Sequence, residues 1–206
     1  MDKKVRTEIE NKFNKIEELK DSNLDQALSE LNKIDPNALP EDLKYDYYYL
    51  AGDIHYARDD FDDAIIFYRL ALKNTYLDNE EREIIYSNLA SLYFDKELYK
   101  DAINYADEAI RLTKSKDIVS KVLTISGLAY QNLNNFKEAI AQFLQILKIY
   151  NEKRVDNWSR NLIDNAYSSL AMNYWKINDD ELSEHYCNKV FSLNDADQRA
   201  LIRAFI

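Results

Sequence analysis

Apolar residues recur at steps of three and four along the chain, in runs that short polar turns separate. The first run holds Val5, Ile9, Phe13, Ile16 and Leu19, and a second extends from Leu24 to Ile34. This spacing places apolar side chains on one face of an amphipathic α-helix. Asp78 and Glu81 have the spacing of a capping box, which marks the start of a later helix. The pattern predicts an all-α chain of amphipathic helices.

A more detailed pattern occupies two consecutive predicted helices, in the stretch GLAYQNLNNFKEAIAQF. Gly127 is followed by Tyr130, and after a polar turn come Ala139 and Phe143. Three other segments have residues at the same four spacings, with some replacements. They are Gly52, His55, Ala64 and Tyr68; Ala90, Tyr93, Ala102 and Ala106; Ala171, Tyr174, Ser183 and Cys187. Small residues let two helices approach closely, and large residues fill the space between them. We therefore predict antiparallel helix pairs, each of which needs a neighbouring pair to bury its apolar face.

This pattern resembles the tetratricopeptide repeat, Trp-x2-Leu-Gly-x2-Tyr followed by Ala-x3-Phe. In the stretch quoted above and just before it, Leu123 stands at the Trp position and Ser126 at the Leu position. The resemblance implies a right-handed superhelical α-solenoid of antiparallel helix pairs. It also implies a scaffold that binds proteins or peptides and is not an enzyme.

The alanine position gives the length of the repeat. Ala64 and Ala102 are 38 residues apart, and Ala102 and Ala139 are 37 apart, whereas the minimal repeat has about 34 residues. The helices between them are expected to be longer than minimal, as in tetratricopeptide-like bacterial signalling proteins that bind peptides. We predict a single solenoid domain over 1–206, with these units: a degenerate first helix pair at 1–39, repeats at 40–77, 78–114 and 115–151, a divergent repeat at 154–193, and a capping helix at 194–206.

Composition narrows the classes of partner. Two glycines and two prolines in 206 residues leave few tight turns, which favours long helices over sheets. The net charge is −10 and the densest basic cluster, Lys114, Lys116 and Lys121, is interrupted by Asp117. A nucleic-acid partner needs a basic stripe, so none is predicted, and a basic or neutral polypeptide is easier to accommodate.

Targeting signals are also absent from the sequence. No run approaches the roughly 18 apolar residues of a membrane helix, and the first ten residues contain no apolar signal core. Cys187 is the only cysteine, so no intramolecular disulfide can form. We expect a cytoplasmic protein without a membrane partner.

No catalytic residue, cofactor or metal site is predicted. His55 occupies a tyrosine position and is expected to be packed, while His185 is expected on a solvated face and Cys187 as an inert thiol. The acidic run from Asp59 to Asp63 lacks the glycine and the ligand spacing of a calcium loop. Acidic residues at a helix start explain it better, because they interact favourably with the helix dipole.

The resemblance places ligand contacts on the inward, non-core face of the first helix of each pair. Carried onto this sequence, the predicted concave peptide-binding or protein-binding residues are, pair by pair, Tyr49, Asp53 and Tyr56; Ser87, Asn88, Ser91, Phe94 and Asp95; Lys121, Thr124, Leu128, Gln131 and Asn132; Ser168, Met172, Trp175 and Lys176. Aromatic, amide and hydroxyl groups together suit an extended peptide or a helix. Phe94 and Trp175 are expected to be exposed, which would need a functional reason.

The sequence does not fit a partner with the acidic C-terminal tail of a heat-shock chaperone. Tetratricopeptide domains that hold the acidic tails of heat-shock chaperones use a clamp of lysine, asparagine and arginine. Asn88 and Lys121 fit that clamp, but Tyr49 and Asp53 stand at its first pair and Ile125 at its arginine. Asp53 would repel a carboxylate ligand. The acidic-tail clamp is therefore predicted to be absent.

Three roles fit this reading, and the sequence leaves the identity of the partner open. The first is a peptide-binding or protein-binding scaffold. The second is a small acidic secretion-type chaperone, and the third is the sensor or regulatory part of a larger signalling protein. The apolar C-terminal end, which includes Ile202, Phe205 and Ile206, could also support self-association instead of simply covering the last repeat.

Overall fold

The computed structural model describes residues 2–150 and 157–193. Within those ranges the protein is built from ten α-helices and one 3₁₀ turn, with no strand, which confirms the all-α prediction. The helices are α1 (Lys3–Ser22), α2 (Leu24–Leu31), α3 (Glu41–Ala57), α4 (Phe61–Leu72), α5 (Asn79–Asp95), α6 (Tyr99–Leu112), α7 (Lys116–Asn132), α8 (Phe136–Ile149), α9 (Asn157–Lys176) and α10 (Asp180–Leu193), and the 3₁₀ turn is Pro36–Ala38. The predicted capping helix at 194–206 and the apolar C-terminal end lie outside the described residues.

Consecutive helices pack as pairs, from α1 with α2 to α9 with α10. Two pairs of odd-numbered helices also touch, since α1 contacts α3 and α5 contacts α7. In a curved array of repeats the layer with closer neighbours is the concave one. The odd-numbered helices therefore line the concave face, which we call the groove.

The buried core runs through the array and does not stop at the end of each pair. One cluster joins α1, α2 and α3, the next joins α4, α5 and α6, and a third joins α7, α8 and α9. A smaller cluster of Ala90, Ala106, Ala109 and Val122 bridges the second and third. No pair of helices buries its apolar face alone, as expected of a repeat array.

The start of α5 carries the predicted capping box. The backbone N–H of Glu81 donates to the Asp78 carboxylate at 2.9 Å, and the N–H of Asp78 donates back to Glu81 at 3.0 Å. These bonds satisfy two of the backbone donors that a helix start leaves unpaired.

The same turn joins the two helices of four successive pairs. Each has one residue in the left-handed region, with φ between 58° and 63°: Asp59, Glu97, Asn134 and Asn178. The residue after it donates its N–H back to the carbonyl five positions earlier, as Leu98 does to Tyr93 at 2.8 Å and Asn135 to Tyr130 at 2.8 Å. This is the Schellman pattern of hydrogen bonding at a helix end. The four pairs from α3–α4 to α9–α10 therefore share one kind of turn between their helices.

Small residues on the groove helices face large residues on their partners. A Cβ atom added at Gly52 would lie 2.7 Å from the ring of Tyr68, and one added at Gly127 would lie 2.8 Å from the ring of Phe143. Both rings are buried. The two glycines of the chain are therefore required for close helix packing, as the motif predicts.

Candidate functional site

A continuous chain of polar contacts crosses the N-terminal half of the groove. The ammonium of Lys20 lies 2.9 Å from the carboxylate of Asp53, which also accepts a hydrogen bond from the hydroxyl of Tyr68. The amide of Asn88 donates to that hydroxyl at 3.4 Å, and Lys121 donates to Asn88 at 3.2 Å. These contacts connect α1, α3, α4, α5 and α7. They bring together three residues predicted for the groove: Asp53, Asn88 and Lys121.

The two lysines at the ends of this chain of polar contacts differ: Lys20 is ion-paired, and Lys121 is not. Burial alone would lower the pKa of Lys20, but its contacts with Glu17 and Asp53 outweigh burial and raise that pKa above its usual value. Burial lowers the pKa of Lys121, and the more distant Asp53 offsets only part of this effect. Lys121 makes no ion pair among the described residues. It is thus a cation of the groove that a ligand can reach.

Tyr68 belongs to the second helix of its pair, yet its hydroxyl reaches the groove. Its ring is fully buried between the helices, and its pKa is raised by burial first and by Asp53 second. The ring passes beside α3 because Gly52 has no side chain. The repeat motif predicts Tyr68 as a core residue and does not reveal its polar end; the glycine opposite a tyrosine was the available signal. Lys20 was missed as well, because the first helix lacks the repeat motif.

A second contact joins α3 to α5 nearer the helix ends. The hydroxyl of Tyr56 donates to Asp95 at 2.7 Å, and burial together with this carboxylate raises the pKa of Tyr56. The Tyr56 ring also packs edge-on against Phe61. Phe94 packs in the same way against Tyr99, at 5.6 Å between ring centres.

Two predicted groove positions differ from expectation. Ser87 is buried, at 3% exposure, because α5 has helices packed on both sides and exposes only a narrow strip. It therefore cannot contact a ligand. Phe94 is half-buried against Tyr99, so the expectation that it is exposed was wrong.

Several other predicted residues bond or pack within the array and do not point freely into the groove. Ser91, Thr124 and Asn132 donate to backbone carbonyls four positions earlier on α5 or α7. Tyr49 and Leu128 are half-buried and pack on the core clusters. The amide nitrogen of Gln131 is buried and has no hydrogen-bond partner among the described residues.

The C-terminal part of the groove is apolar and open. On α9, Met172 is 44% exposed and Trp175 is 58% exposed, as expected for Trp175. The ammonium of Lys176 lies 4.7 Å from the centre of the Trp175 ring, a cation–π contact. Ser168 is exposed on the same helix. Large apolar side chains exposed together mark a binding surface more often than a solvated face.

The remaining candidate groups do not form a reactive site. His55 stacks on Phe67 at 5.1 Å, in agreement with a packed histidine, and His185 is exposed. Burial and the nearby Glu184 raise the pKa of Cys187, which makes its thiol less reactive. Across residues 2–150 and 157–193, no group of three or more His, Cys, Asp or Glu side chains is arranged to hold a metal. In the same ranges, no helix combines the length and apolar character that crossing a membrane requires.

The fold and its groove define a helical-repeat protein of the α-solenoid class. Two sequence profiles, both described as tetratricopeptide repeat, match the chain: one at residues 84–115, the other at 45–75, 120–153 and 164–197. Together these matches cover more than half of the sequence. The chain belongs to the tetratricopeptide repeat family, and the resemblance seen in the sequence is confirmed.

Solved structures show the same fold. The apo form of RapI superposes with a TM-score of 0.72 at 18% identity, over 82% of this chain and 48% of RapI. YrrB gives 0.67 at 17% identity, over 95% of this chain and 91% of YrrB. BtubC from P. vanneervenii gives 0.62 at 21% identity, over 94% of this chain and 76% of BtubC. The chain thus spans about half the length of RapI. No curated protein sequence matches it. Arrays of this family are protein-interaction scaffolds, and that general role follows from the fold.

Proposed function

We propose that the groove binds an extended or helical segment of a partner protein or peptide. The observation that carries this proposal is the pair of exposed apolar side chains on the odd-numbered helix α9, Met172 and Trp175. The odd-numbered helices before it carry the polar chain from Lys20 to Lys121. Apolar side chains provide contact area, and amide and ammonium groups can meet the backbone of a bound segment. YrrB, which shares the fold, is a tetratricopeptide protein with an unusual peptide-binding site.

The proposal assigns no catalytic step, and it excludes the acidic-tail clamp. Asp53 remains in the groove, where the ammonium of Lys20 compensates its charge and the hydroxyl of Tyr68 donates a hydrogen bond to it, and Ile125 offers no charge at the arginine position. Cys187 is the single cysteine of the sequence, which fits a reducing compartment, so we propose a cytoplasmic site of action. A protein or peptide segment is the proposed partner, and nucleic acid is not.

Selection from a random dodecapeptide display library tests the proposal, because it requires no named partner. Selected peptides are then measured by isothermal titration against the double variant Met172→Ser/Trp175→Ser. We expect at least a 10-fold weaker Kd, since both side chains are exposed in the groove and their loss removes contact area without disturbing the core.

The matched control is Ile66→Ser/Leu144→Ser, which removes two exposed apolar side chains from the even-numbered helices α4 and α8, at 54% and 38% exposure. The control is expected to bind as the wild type does. Equal losses in the two double variants, or selected peptides that neither variant weakens, would contradict the groove as the binding site. Circular dichroism establishes that all variants fold.

A further inference from the structure

A cavity of about 370 Å³ lies between α1 and α3, beside the polar chain of the groove. Its apolar walls come from both helices and its polar walls are mainly acidic. The lining residues are Phe13, Tyr49, Leu50, Glu10, Asn14, Glu17 and Asp46. The cavity therefore combines aromatic rings with carboxylates.

Two ion pairs between α1 and α3 lie on either side of this cavity, and both have the same arrangement of charges. Arg6 of α1 meets Asp42 of α3 at 2.7 Å, and Lys20 of α1 meets Asp53 of α3 at 2.9 Å. In each pair α1 supplies the cation and α3 the carboxylate. The two helices run in the same direction, so the next carboxylate of α3 in this row, Asp46, faces the part of α1 between Arg6 and Lys20.

Asp46 has no such cation. No hydrogen bond or ion pair of its side chain occurs among the described residues, and α1 presents Glu10 to it in the place of a base. Arg6, the basic group that acts on Asp46 through its charge, is held by Glu10 at 2.8 Å and by Asp42. Burial, then Glu81 of α5 and Asp42, raise the pKa of Asp46 to about 6. At neutral pH this half-buried carboxylate is ionised among other carboxylates, an arrangement that costs stability.

We propose that the cavity receives an arginine or lysine side chain of the segment bound in the groove, and that Asp46 is its counter-ion. This inference rests on the proposed function. A guanidinium or ammonium group would supply the cation missing from the row, with a charge-assisted hydrogen bond to Asp46 and a cation–π contact with Tyr49, which lines the cavity. The protein already contains one charge-assisted hydrogen bond of this kind, in which the ammonium of Lys20 donates to Asp53 further along α3.

The test uses the groove-dependent peptides from the selection described above. We expect them to carry a basic residue at one position, and replacement of that residue by neutral citrulline or norleucine to weaken Kd at least 10-fold. Asp46→Asn, which keeps the shape of the side chain, should weaken the unmodified peptide to a similar degree. Combining the two changes should add little, since each removes the same ion pair.

Glu138→Gln is the matched control. It removes one negative charge from an exposed position on α8, away from the cavity, and should leave Kd within twofold of the wild type. Groove-dependent peptides that lack a required basic residue, or that bind Asp46→Asn as well as wild type, would overturn the inference and leave the proposed function standing. If no selected peptide depends on Met172 and Trp175, the proposed function fails and the inference with it.

Discussion

The helix pair α3–α4 and the next pair, α5–α6, solve the same packing problem in two ways. In the first, Gly52 faces the ring of Tyr68; in the second, Ala90 stands at the glycine position and Ala106 at the tyrosine position, both fully buried. A small residue on one helix thus goes with a large one on the other, and two middle-sized residues go together. Interiors are close-packed, so the residues at the two positions must be chosen as a pair.

The difference in packing extends to the groove. The positions that hold Asp46, Tyr49 and Asp53 in α3 hold Ile84, Ser87 and Ser91 in α5. Only the first pair has a tyrosine whose hydroxyl can pass between the helices, and Asp53 stands where that hydroxyl emerges. In α5 the corresponding Ser91 bonds to its own backbone instead. The residue chosen for the core therefore decides which polar groups the groove can hold.

The largest effect is expected when the second pair receives the tyrosine of the first. Ala106→Tyr inserts a ring against the buried Ala90 methyl and should lower the free energy of unfolding by about 3 kcal/mol. Urea denaturation measures the change. The double variant Ala90→Gly/Ala106→Tyr should regain about 1–2 kcal/mol, because the glycine provides the space that Gly52 gives to Tyr68. A double variant no more stable than the single one would show that the two positions are not packed as a pair.

A smaller effect is expected from the reverse change in the first pair. Gly52→Ala places a methyl group 2.7 Å from the Tyr68 ring. That ring cannot move away easily, because the Tyr68 hydroxyl is hydrogen-bonded to Asp53. Overpacking costs about 1–3 kcal/mol and alanine regains up to about 1 kcal/mol as a helix former, so a net loss of about 1–2 kcal/mol is expected in urea denaturation. The control Ala90→Gly should also destabilise, by about 1 kcal/mol. A more stable Gly52→Ala protein would contradict the close contact.

Asp46 gives an effect no larger than that of Gly52→Ala, and this effect depends on pH. Its pKa is about 6 in the folded protein against an ordinary 3.8, owing to burial and to Glu81, Asp42 and Glu10, with Arg6 opposing. The folded state then binds more protons than the unfolded state between about pH 4 and 6, so this group lowers stability as pH rises through that range. Two pKa units correspond to about 3 kcal/mol, and partial exposure reduces this to about 1–2 kcal/mol.

Asp46→Asn should therefore raise the free energy of unfolding by about 1–2 kcal/mol at pH 7.5 and by almost nothing at pH 4. Ile84→Asn, at the equivalent position of α5, changes no charge, so its difference from wild type should be the same at both pH values. Urea denaturation at the two pH values measures both variants. An Asp46→Asn difference that does not vary with pH would mean that the carboxylate is not held among like charges.

The repeat motif made the helix pairs and the fold predictable from the sequence. The spacing of small and aromatic residues was enough for that, because it records which side chains meet inside a pair. The groove was harder to predict. Ser87 and Asn88 are adjacent in the sequence, yet Ser87 is buried and only Asn88 joins the polar chain. Which residues of a central helix are exposed depends on how the neighbouring helices pack against it. Lys20 belongs to a helix without the motif, so only the structure connects it to Asp53.

The polar chain from Lys20 through Asp53, Tyr68 and Asn88 to Lys121 bears on how the array unfolds. In most repeat arrays each unit communicates only with its immediate neighbours, so a terminal unit can fray while the rest stays folded. Here the groove contacts link α1 to α7 stepwise through α3, α4 and α5, so they join the first four helix pairs, each to its neighbour. Opening the α1–α2 pair leaves the half-buried carboxylate of Asp53 without its cation, which penalises partial opening. We therefore expect the groove from α1 to α7 to fray less readily than a terminal repeat without such contacts.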